Sequence, residues 1–294
     1  MKRTSTRVSK RLEKTKEVNA VTSIVDSLIK VSSSSYATKV ERFFLRSYCP
    51  KDIFVGIRVP TCRKIMQEYL ETTSEKEVLE LVKDDRHEMR LTGLLALAEI
   101  YQNPAKAPLW LDKLKDKDKV RLHVCELYLQ HTKYCNNWDL VDCSCHKILG
   151  DALLRFHRDA MPVYSESQEL TSLPNWYQNL LVSLDLWETR ISIVLLLYIK
   201  AEDVNFALAI CHYHISRFFE SPELRCTLEN EPFESLDLIH KALGWVLREC
   251  GKQDRAKLLE FLDNNASKAA KTTIRYATEH LPKTKAKSYI SQAN

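Results

Sequence analysis

The stretch ISIVLLLYI, residues 191–199, is apolar on every face of the helix that it predicts. It is too short to cross a membrane, which takes about 20 apolar residues. A helix without a polar face must be covered by protein on two sides, and the stacked helix pairs of an α-solenoid supply that cover. The stretch therefore predicts an all-α fold built from HEAT-like helix pairs.

Helical periodicity runs through almost the whole chain, and no segment alternates as a strand would. Pro60 falls in the first turn of one predicted helix, and Ser74 with Glu77 forms a capping box before another. Long connections are expected at 157–175 and 220–234. The clearest predicted helices cover residues 87–101, 118–131, 138–149, 187–200, 204–219, 235–250 and 255–265, and a basic tail, PKTKAKSYI, follows residue 281.

The composition narrows the class of protein. The chain has 294 residues with a net charge of +5, so any nucleic-acid surface has to be a local patch. Its 9 cysteines are odd in number and scattered, which indicates free thiols in a reducing compartment. We therefore expect an intracellular protein, nuclear or cytoplasmic and not secreted, with no membrane span. No nucleotide-binding or hydrolase motif occurs.

The sequence also bears on cofactors and on domain organisation. The CSCH segment, 143–146, offers soft ligands, but Cys143 and Cys145 point apart on one helix and lack zinc-site spacing, so we predict neither a metal nor another cofactor. Residues 1–17 are basic without an apolar core, so they are not a secretory signal. We expect them to form an N-terminal extension, flexible or frayed, ahead of a single domain at 18–294.

The segment CNNWDLVDCSCH, 135–146, contains two aspartates. Asn136 or Asn137 can cap the helix, and Asp139 then lies in the first turn, where the helix dipole favours an anion. Asp142 lies beyond that turn, on the face of Trp138 and at the edge of the buried stripe. A carboxylate there needs a partner. From the pattern, this partner is either an arginine on the next helix or a reacting substrate.

Two further sites carry unexplained groups. In LIHKALGWVLRECGK, Trp245 lies off the apolar stripe, and its turn neighbours are Lys241, Arg248 and Lys252. An indole among cations suits nucleic acid, but it also suits packing on a neighbouring helix. In WETRISIVLLL, Arg190 stands just before the apolar run, near a helix start where a cation has little local reason to be. A phosphate or Asp142 would supply the reason.

Several stretches occur in a recognisable order: VGIRVPTCRKI (55–65), RHEMRLTGLLAL (86–97), NNWDLVD (136–142), LWETRISIVLL (186–196), HKALGWVLRECGK (240–252) and IRYATEHL (274–281). Together they resemble the AlkD-like DNA alkylation repair family of HEAT-like-repeat DNA glycosylases. The resemblance implies an α-superhelix with a concave basic surface that binds duplex DNA. It also implies hydrolysis of the N-glycosidic bond of cationic N3- and N7-alkylpurines in base excision repair, by a monomer.

The resemblance also assigns residues. Trp138, Asp142 and Trp245 match the catalytic set of two aromatics and a carboxylate, which contacts the deoxyribose without a deep base-flipping pocket. Arg190 matches the arginine that approaches the DNA backbone near the lesion. The other predicted DNA-binding residues are Arg248, Lys241, Lys252, Arg58 and Arg63. Arg58 and Val59 depart from the neutral polar residues of the family, and the chain is longer between the later motifs.

Two hypotheses without catalysis compete with the glycosylase hypothesis. A HEAT-like module that only binds DNA or protein would explain the basic faces, but it has no need for a carboxylate in an anion-binding cleft. A scaffold whose groove takes a peptide would be favoured by an acidic groove. Base release from methylated DNA separates the enzyme from both.

Overall fold

The fold is described here from a computed structural model, which defines residues 24–44, 48–49, 51–161, 170–220 and 236–294. Within these ranges the chain is helical and contains no β-strand, so the all-α prediction is confirmed. The chain divides into two compact units, residues 1–144 and 145–294. The predicted N-terminal extension lies outside the described residues, and the single domain at 18–294 stays a prediction.

The first unit consists of short helices joined by tight turns. Their bounds are α1 (24–30), α2 (Ser34–Glu41), α3 (Val59–Tyr69), α4 (Glu75–Val82), α5 (His87–Gln102), α6 (Pro108–Leu114), α7 (Lys117–Gln130) and α8 (Trp138–Asp142). Helix α4 begins at the predicted capping box, in which the Ser74 hydroxyl accepts from the Glu77 amide and the Glu77 carboxylate accepts from the Ser74 amide.

The second unit is also built from helices that pack on their neighbours in the chain. Their bounds are α9 (Asp151–His157), α10 (Asn175–Val182), α11 (Leu186–Val194), α12 (Leu196–Ile199), α13 (Val204–Glu220), α14 (Leu236–Gln253), α15 (Arg255–Asn265), α16 (Lys271–Ala277) and α17 (Lys283–Gln292). Helix α14 contacts α11, α13, α15 and α16. Packing between helices one to three positions apart in the chain fits the organisation of an α-solenoid, and the concave basic surface stays a prediction.

Helix α5 is the core of the first unit. It contacts α3, α4, α7 and α8, and every residue from His87 to Ala98 is buried. Gly93 permits the approach of α4, because a Cβ there would lie 2.7 Å from the Val82 amide nitrogen. The same helix carries His87, Glu88 and Arg90 at its buried N-terminal end. These three charged groups need partners, and the partners come from the segments that surround the helix.

The predicted helix over 191–199 is buried except at the half-buried Leu197 and Tyr198, and it is interrupted. Helix α11 ends at Val194 and α12 begins at Leu196. A π-helical turn, His146–Gly150, lies against this break, where a Cβ on Gly150 would stand 2.6 Å from the Leu195 carbonyl oxygen. Close backbone contact at Gly150 thus covers the apolar segment.

The prediction of one continuous helix over 138–149 is wrong. Helix α8 ends at Asp142, and a turn separates it from the π-helical residues that follow. The Ser144 hydroxyl donates to the Leu140 carbonyl oxygen at 2.6 Å and lies 2.9 Å from the Tyr128 hydroxyl. A serine that bonds to the carbonyl four residues earlier bends a helix, which gives the interruption a local cause.

Two other expectations concern connections and the tail. Residues 162–169 and 221–235, which contain most of the predicted long connections, lie outside the described residues. The basic tail forms helix α17. This helix packs on the protein through Tyr289, which is buried and donates from its hydroxyl to Asp263 at 2.6 Å. No helix in the described ranges is long and apolar enough to span a membrane.

Glu88 ties the loop before α3 to α5. Its carboxylate accepts from the amides of Val55, Gly56 and Ile57 at 2.9, 2.8 and 3.1 Å. Gly56 has a φ of +81°, and a Cβ there would lie 2.1 Å from the Ser33 carbonyl oxygen. Only glycine fits this conformation and this spacing.

We therefore expect Gly56→Ala to lower the free energy of unfolding by on the order of 2 kcal/mol or more, since both the left-handed backbone and the contact are unfavourable. Gly251→Ala is the matched control. Its Cβ would meet the side chain of Leu258, at 2.3 Å from Cδ2 and 3.3 Å from Cβ and Cγ, with no backbone atom closer, and alanine favours the helix. Guanidinium denaturation of both variants measures the difference, and equal losses would contradict the argument.

Candidate active site

Trp138 and Asp142, two of the predicted catalytic residues, lie on the very short helix α8. It has five residues, Trp138–Asp142, of which Leu140 and Val141 are buried. Asn137 is the cap, as one of the two predicted alternatives, and its side-chain oxygen accepts from the Trp138 amide at 2.8 Å. Trp138 therefore opens the helix and Asp142 closes it.

Trp138 and Asp142 lie one helical turn apart and both are partly exposed. The indole packs against Phe44, with ring centroids 5.1 Å apart and an interplanar angle of 18°. Phe44 in turn contacts Phe54 and the His87 ring at centroid distances of 4.8 and 5.3 Å. This aromatic cluster supports the indole from the side of the protein core.

Asp139 has a larger role than the helix start that the sequence predicts. It lies in the first turn of α8 as expected. Its carboxylate oxygen Oδ2 stands 2.8 Å from Nε2 of His87. The other ring nitrogen, Nδ1, stands 2.9 Å from Oδ2 of Asp52. His87 therefore bridges two carboxylates that are far apart in the sequence, one in the loop before α3 and one in α8.

Asp52 is the hub of this cluster. Besides His87, its carboxylate accepts from the Asn137 side-chain amide at 2.7 Å and from the Arg90 guanidinium. Arg90 also donates to the carbonyl oxygens of Asp84 and of Asp85, each at 2.9 Å. The two carboxylates of Asp52 and Asp139 are thus matched by a guanidinium and an imidazolium, and we name these four residues with Asn137 the Asp52 network.

The pKa values in the network follow from these contacts. Burial alone would lower the pKa of His87, but the charges and hydrogen bonds of Asp139 and Asp52 raise it to about 9 from its ordinary value of 6.5. Burial alone would raise the pKa of Asp52, yet the His87 hydrogen bond and the Arg90 charge outweigh it and the pKa is lowered. His87 is therefore protonated at neutral pH, and Asp52 is ionised.

Sequence reasoning missed the Asp52 network. The pattern did contain a signal, because His87 and Arg90 are polar groups at the start of a helix whose later residues, 91–98, are mostly apolar. Such residues need buried partners. The partners could not be identified from the sequence, since Asp52 lies 35 positions before His87 and Asp139 lies 52 positions after it.

In the second unit, Arg190 is buried within α11 and only 5% exposed. Its guanidinium donates to the Leu238 carbonyl oxygen in the first turn of α14. This bond between contacting helices is a reason for a cation that the local sequence did not reveal. Trp187 is buried at the start of α11.

Trp245 is partly exposed on α14, while the predicted apolar stripe of that helix is buried. The helix packs closely on α16, since a Cβ on the adjacent Gly244 would stand 2.6 Å from the Thr273 carbonyl oxygen. Trp245 and Arg190 therefore sit on contacting helices, α14 and α11. Trp138 and Asp142 belong to the first unit, and their convergence with Trp245 and Arg190 stays a prediction.

Each predicted basic residue of α14 has an acidic partner. Lys241 pairs with Asp237 at 2.6 Å, and Lys252 pairs with Glu249 at 2.6 Å. Arg248 pairs with Glu249 at 3.3 Å and also with Glu279. The charge of this face is therefore more balanced than the positions of its lysines and arginines indicate.

The predicted basic residues of α3 differ in this respect. Arg58 is exposed at the start of α3, and its guanidinium lies over the Tyr36 ring, 5.3 Å from the centroid. Arg63 is partly exposed one turn further along. Within the described ranges neither arginine forms an ion pair with a carboxylate.

The sequence matches the family model of the DNA alkylation repair enzymes over residues 24–281. This range contains all the site residues discussed above and most of the chain. No curated protein matches the chain.

The raised pKa of His87 predicts a pH dependence of stability. A histidine whose pKa is raised on folding stabilises the protein fully below its unfolded pKa, near 6.5, and loses that effect as the pH rises through about 9. We expect wild type to lose on the order of 3 kcal/mol relative to His87→Gln across this range. Urea denaturation of both proteins at pH 6 and pH 9.5 measures it, and a constant difference would contradict the protonated state.

Proposed function

Because the chain belongs to the DNA alkylation repair enzyme family, we propose that it is a DNA glycosylase. Its substrates are N3- and N7-alkylated purines in duplex DNA, and it hydrolyses the bond between the alkylated base and the deoxyribose. The role in DNA alkylation repair follows from the family. The glycosylase reaction, its substrates and the residues that perform it are our proposal.

The chemistry asks little of the protein. An alkylated purine is already cationic, so it departs without protonation by the enzyme. The difficulty is the positive charge that develops on the sugar as the bond breaks, and a fixed carboxylate lowers the energy of that charge. In this proposal the Asp142 carboxylate faces the developing cation and orients the attacking water. The reaction consumes only DNA and water and needs no cofactor.

The two indoles have a complementary role. Electron-rich aromatic faces attract cations, so Trp138 and Trp245 would line a shallow cleft around the deoxyribose and the cationic base. Many glycosylases extrude the base into a deep pocket. A cleft that contacts the sugar instead would accept bulky alkyl groups, because it does not enclose the base.

The arrangement of α8 carries this proposal. Trp138 and Asp142 share one face of the helix and stay partly exposed, whereas Leu140 and Val141 between them are buried. An aromatic ring and a carboxylate one turn apart at an accessible surface match the needs of a sugar cation. The Phe44 ring behind Trp138 holds the indole in place without using its whole surface.

A module that binds DNA or protein without catalysis is the second candidate. The ion pairs of Lys241, Arg248 and Lys252 make the α14 face less basic, which within this candidate favours a protein partner over DNA. This candidate gives the carboxylate of Asp142 no role in DNA binding, since an anion beside a phosphate weakens binding. Base release is the observation that separates the two candidates.

We expect Asp142→Asn to slow the release of 7-methylguanine from methylated duplex DNA by about 10²-fold or more, because the amide cannot stabilise the sugar cation. Asp112→Asn is the control, since Asp112 is 80% exposed on α6 and has no predicted role. Circular dichroism checks that both variants fold. Wild-type release by the Asp142 variant would overturn the assignment, and DNA binding without release by the wild-type protein would favour the second candidate.

Arg58→Ala tests the basic surface of α3. A lost phosphate contact should weaken binding to any duplex sequence and reduce the slope of log K against log salt by about 1. Lys76→Ala is the matched control, a 73% exposed cation of the same unit outside the predicted set. Fluorescence anisotropy over a salt series measures both slopes. Equal slopes for the wild-type protein and Arg58→Ala would remove Arg58 from the DNA-binding set.

A further inference from the structure

We propose that Asp52, His87 and Asp139 are positioning residues of the glycosylase, which hold helix α8 so that Trp138 and Asp142 keep their reactive geometry. The inference rests on the proposed function, and it adds to that function a set of residues that act through helix α8. It follows from the length of α8, the contacts of its first turn and the burial of the residues that make them.

Helix α8 is too short to hold itself in place. Isolated helices below about 12 residues are marginal in water, and α8 has five. Few backbone hydrogen bonds hold it together. Among them, the Val141 amide donates to the Asn137 carbonyl oxygen at 3.3 Å, and the Cys143 amide donates to the Asp139 carbonyl oxygen at 3.0 Å. A short 3₁₀ turn precedes the helix and the turn at residues 143–144 follows it. Its position therefore depends on side-chain anchors.

The anchors flank Trp138 on both sides along the chain. Asn137 precedes it and donates to Asp52 while it accepts from the Trp138 amide. Asp139 follows it and bonds to His87. The backbone of the tryptophan is thus fixed at two points that lead to the same carboxylate, Asp52. A shift of α8 would break both connections together.

The other end of the connection is rigid. His87 is the first residue of α5, is 2% exposed, and belongs to the buried core helix of its unit. Both ring nitrogens lie at hydrogen-bond distance from carboxylates, so both must carry protons if both bonds are made. Among the described residues, the ionisable groups that act on it directly are Asp52 from the loop and Asp139 from α8. Arg90 of α5 pairs with Asp52, and the Cys62 thiol of α3 interacts with the charges of Glu88 and Asp139.

Loss of the imidazolium proton would weaken this connection. One ring nitrogen would then present a lone pair to a carboxylate, and the first turn of α8 would lose either Asp139 or the Asp52 hub as a firm partner. Catalysis by a fixed carboxylate is sensitive to placement, and a misplacement of about 1 Å costs on the order of 10²-fold in rate. A positioning role therefore predicts a kinetic effect, where a purely structural role predicts only a loss of stability.

Asp139→Asn and Asp139→Ala form the test. The asparagine keeps an acceptor for His87 and loses the charge, whereas the alanine loses both. At saturating protein we expect single-turnover base release to slow by about tenfold in the asparagine variant and more in the alanine variant, with the Kd for DNA within about twofold of wild type. The rate of Asp139→Asn should also begin to fall at a lower pH than that of wild type, because only one carboxylate then holds the proton on His87.

Amide hydrogen exchange gives a readout that does not need activity. The amides of Val141 and Cys143 should exchange at least several-fold faster in Asp139→Asn than in wild type, while those of α5 stay protected. Asp112→Asn should match wild type in rate and exchange. If the wild-type protein releases no base, the proposed function fails and the exchange data alone decide the positioning role. The inference would be overturned if the α8 amides of Asp139→Asn exchanged at the wild-type rate. It would also be overturned if a folded Asp139→Asn kept the wild-type rate and pH profile of base release.

Discussion

The His87 imidazolium, held between the carboxylates of Asp52 and Asp139, is the interaction on which the first unit depends. It lies at the buried start of α5, where an unpaired charge would be costly. Arg90 supplies the second positive charge, and Glu88 binds three backbone amides of the loop before α3. One helix end thereby fixes the loop that leads to Arg58 and the helix that carries Trp138 and Asp142.

This arrangement explains how a very short helix can present a reactive carboxylate. Electrostatic stabilisation of a developing charge works when the stabilising group is already in place before the reaction. A helix of five residues cannot supply that rigidity alone, whereas a buried core helix can. In the glycosylase proposal the parts have separate tasks. Asp142 faces the sugar, Trp138 lines the cleft, and the Asp52 network keeps both from moving.

Local physics made much of the fold predictable. Apolar periodicity predicted the helices, the Ser74 and Glu77 pair predicted the start of α4, and Asn137 was one of two predicted caps for α8. Contacts between distant segments were not predictable. Asn137 reaches Asp52 across 85 positions, and no spacing rule joins such residues. The break after α8 depends on a single serine that bonds to a carbonyl, an effect that helical periodicity does not register.

In the candidate site, too, local features were predictable and contacts between distant segments were not. The resemblance assigned Trp138 and Asp142, and the structure puts them one turn apart at an accessible surface. The sequence alone gave Asp139 a helix-start role, because its partner His87 belongs to another helix. It also overstated the free charge of α14, since Asp237 and Glu249 on the same helix and Glu279 in the turn after α16 pair with its cations. For Asp139 and for Arg248 the missing information was the identity of a neighbour in another segment of the chain.

The most direct test of the account compares two duplexes that differ only at the sugar of the lesion. One carries a pyrrolidine, which is cationic at neutral pH, and the other carries a neutral tetrahydrofuran. A site built for a sugar cation should bind the pyrrolidine duplex about 10²-fold more tightly, since catalysis requires complementarity to the transition state. Equal dissociation constants for the two duplexes would contradict the account.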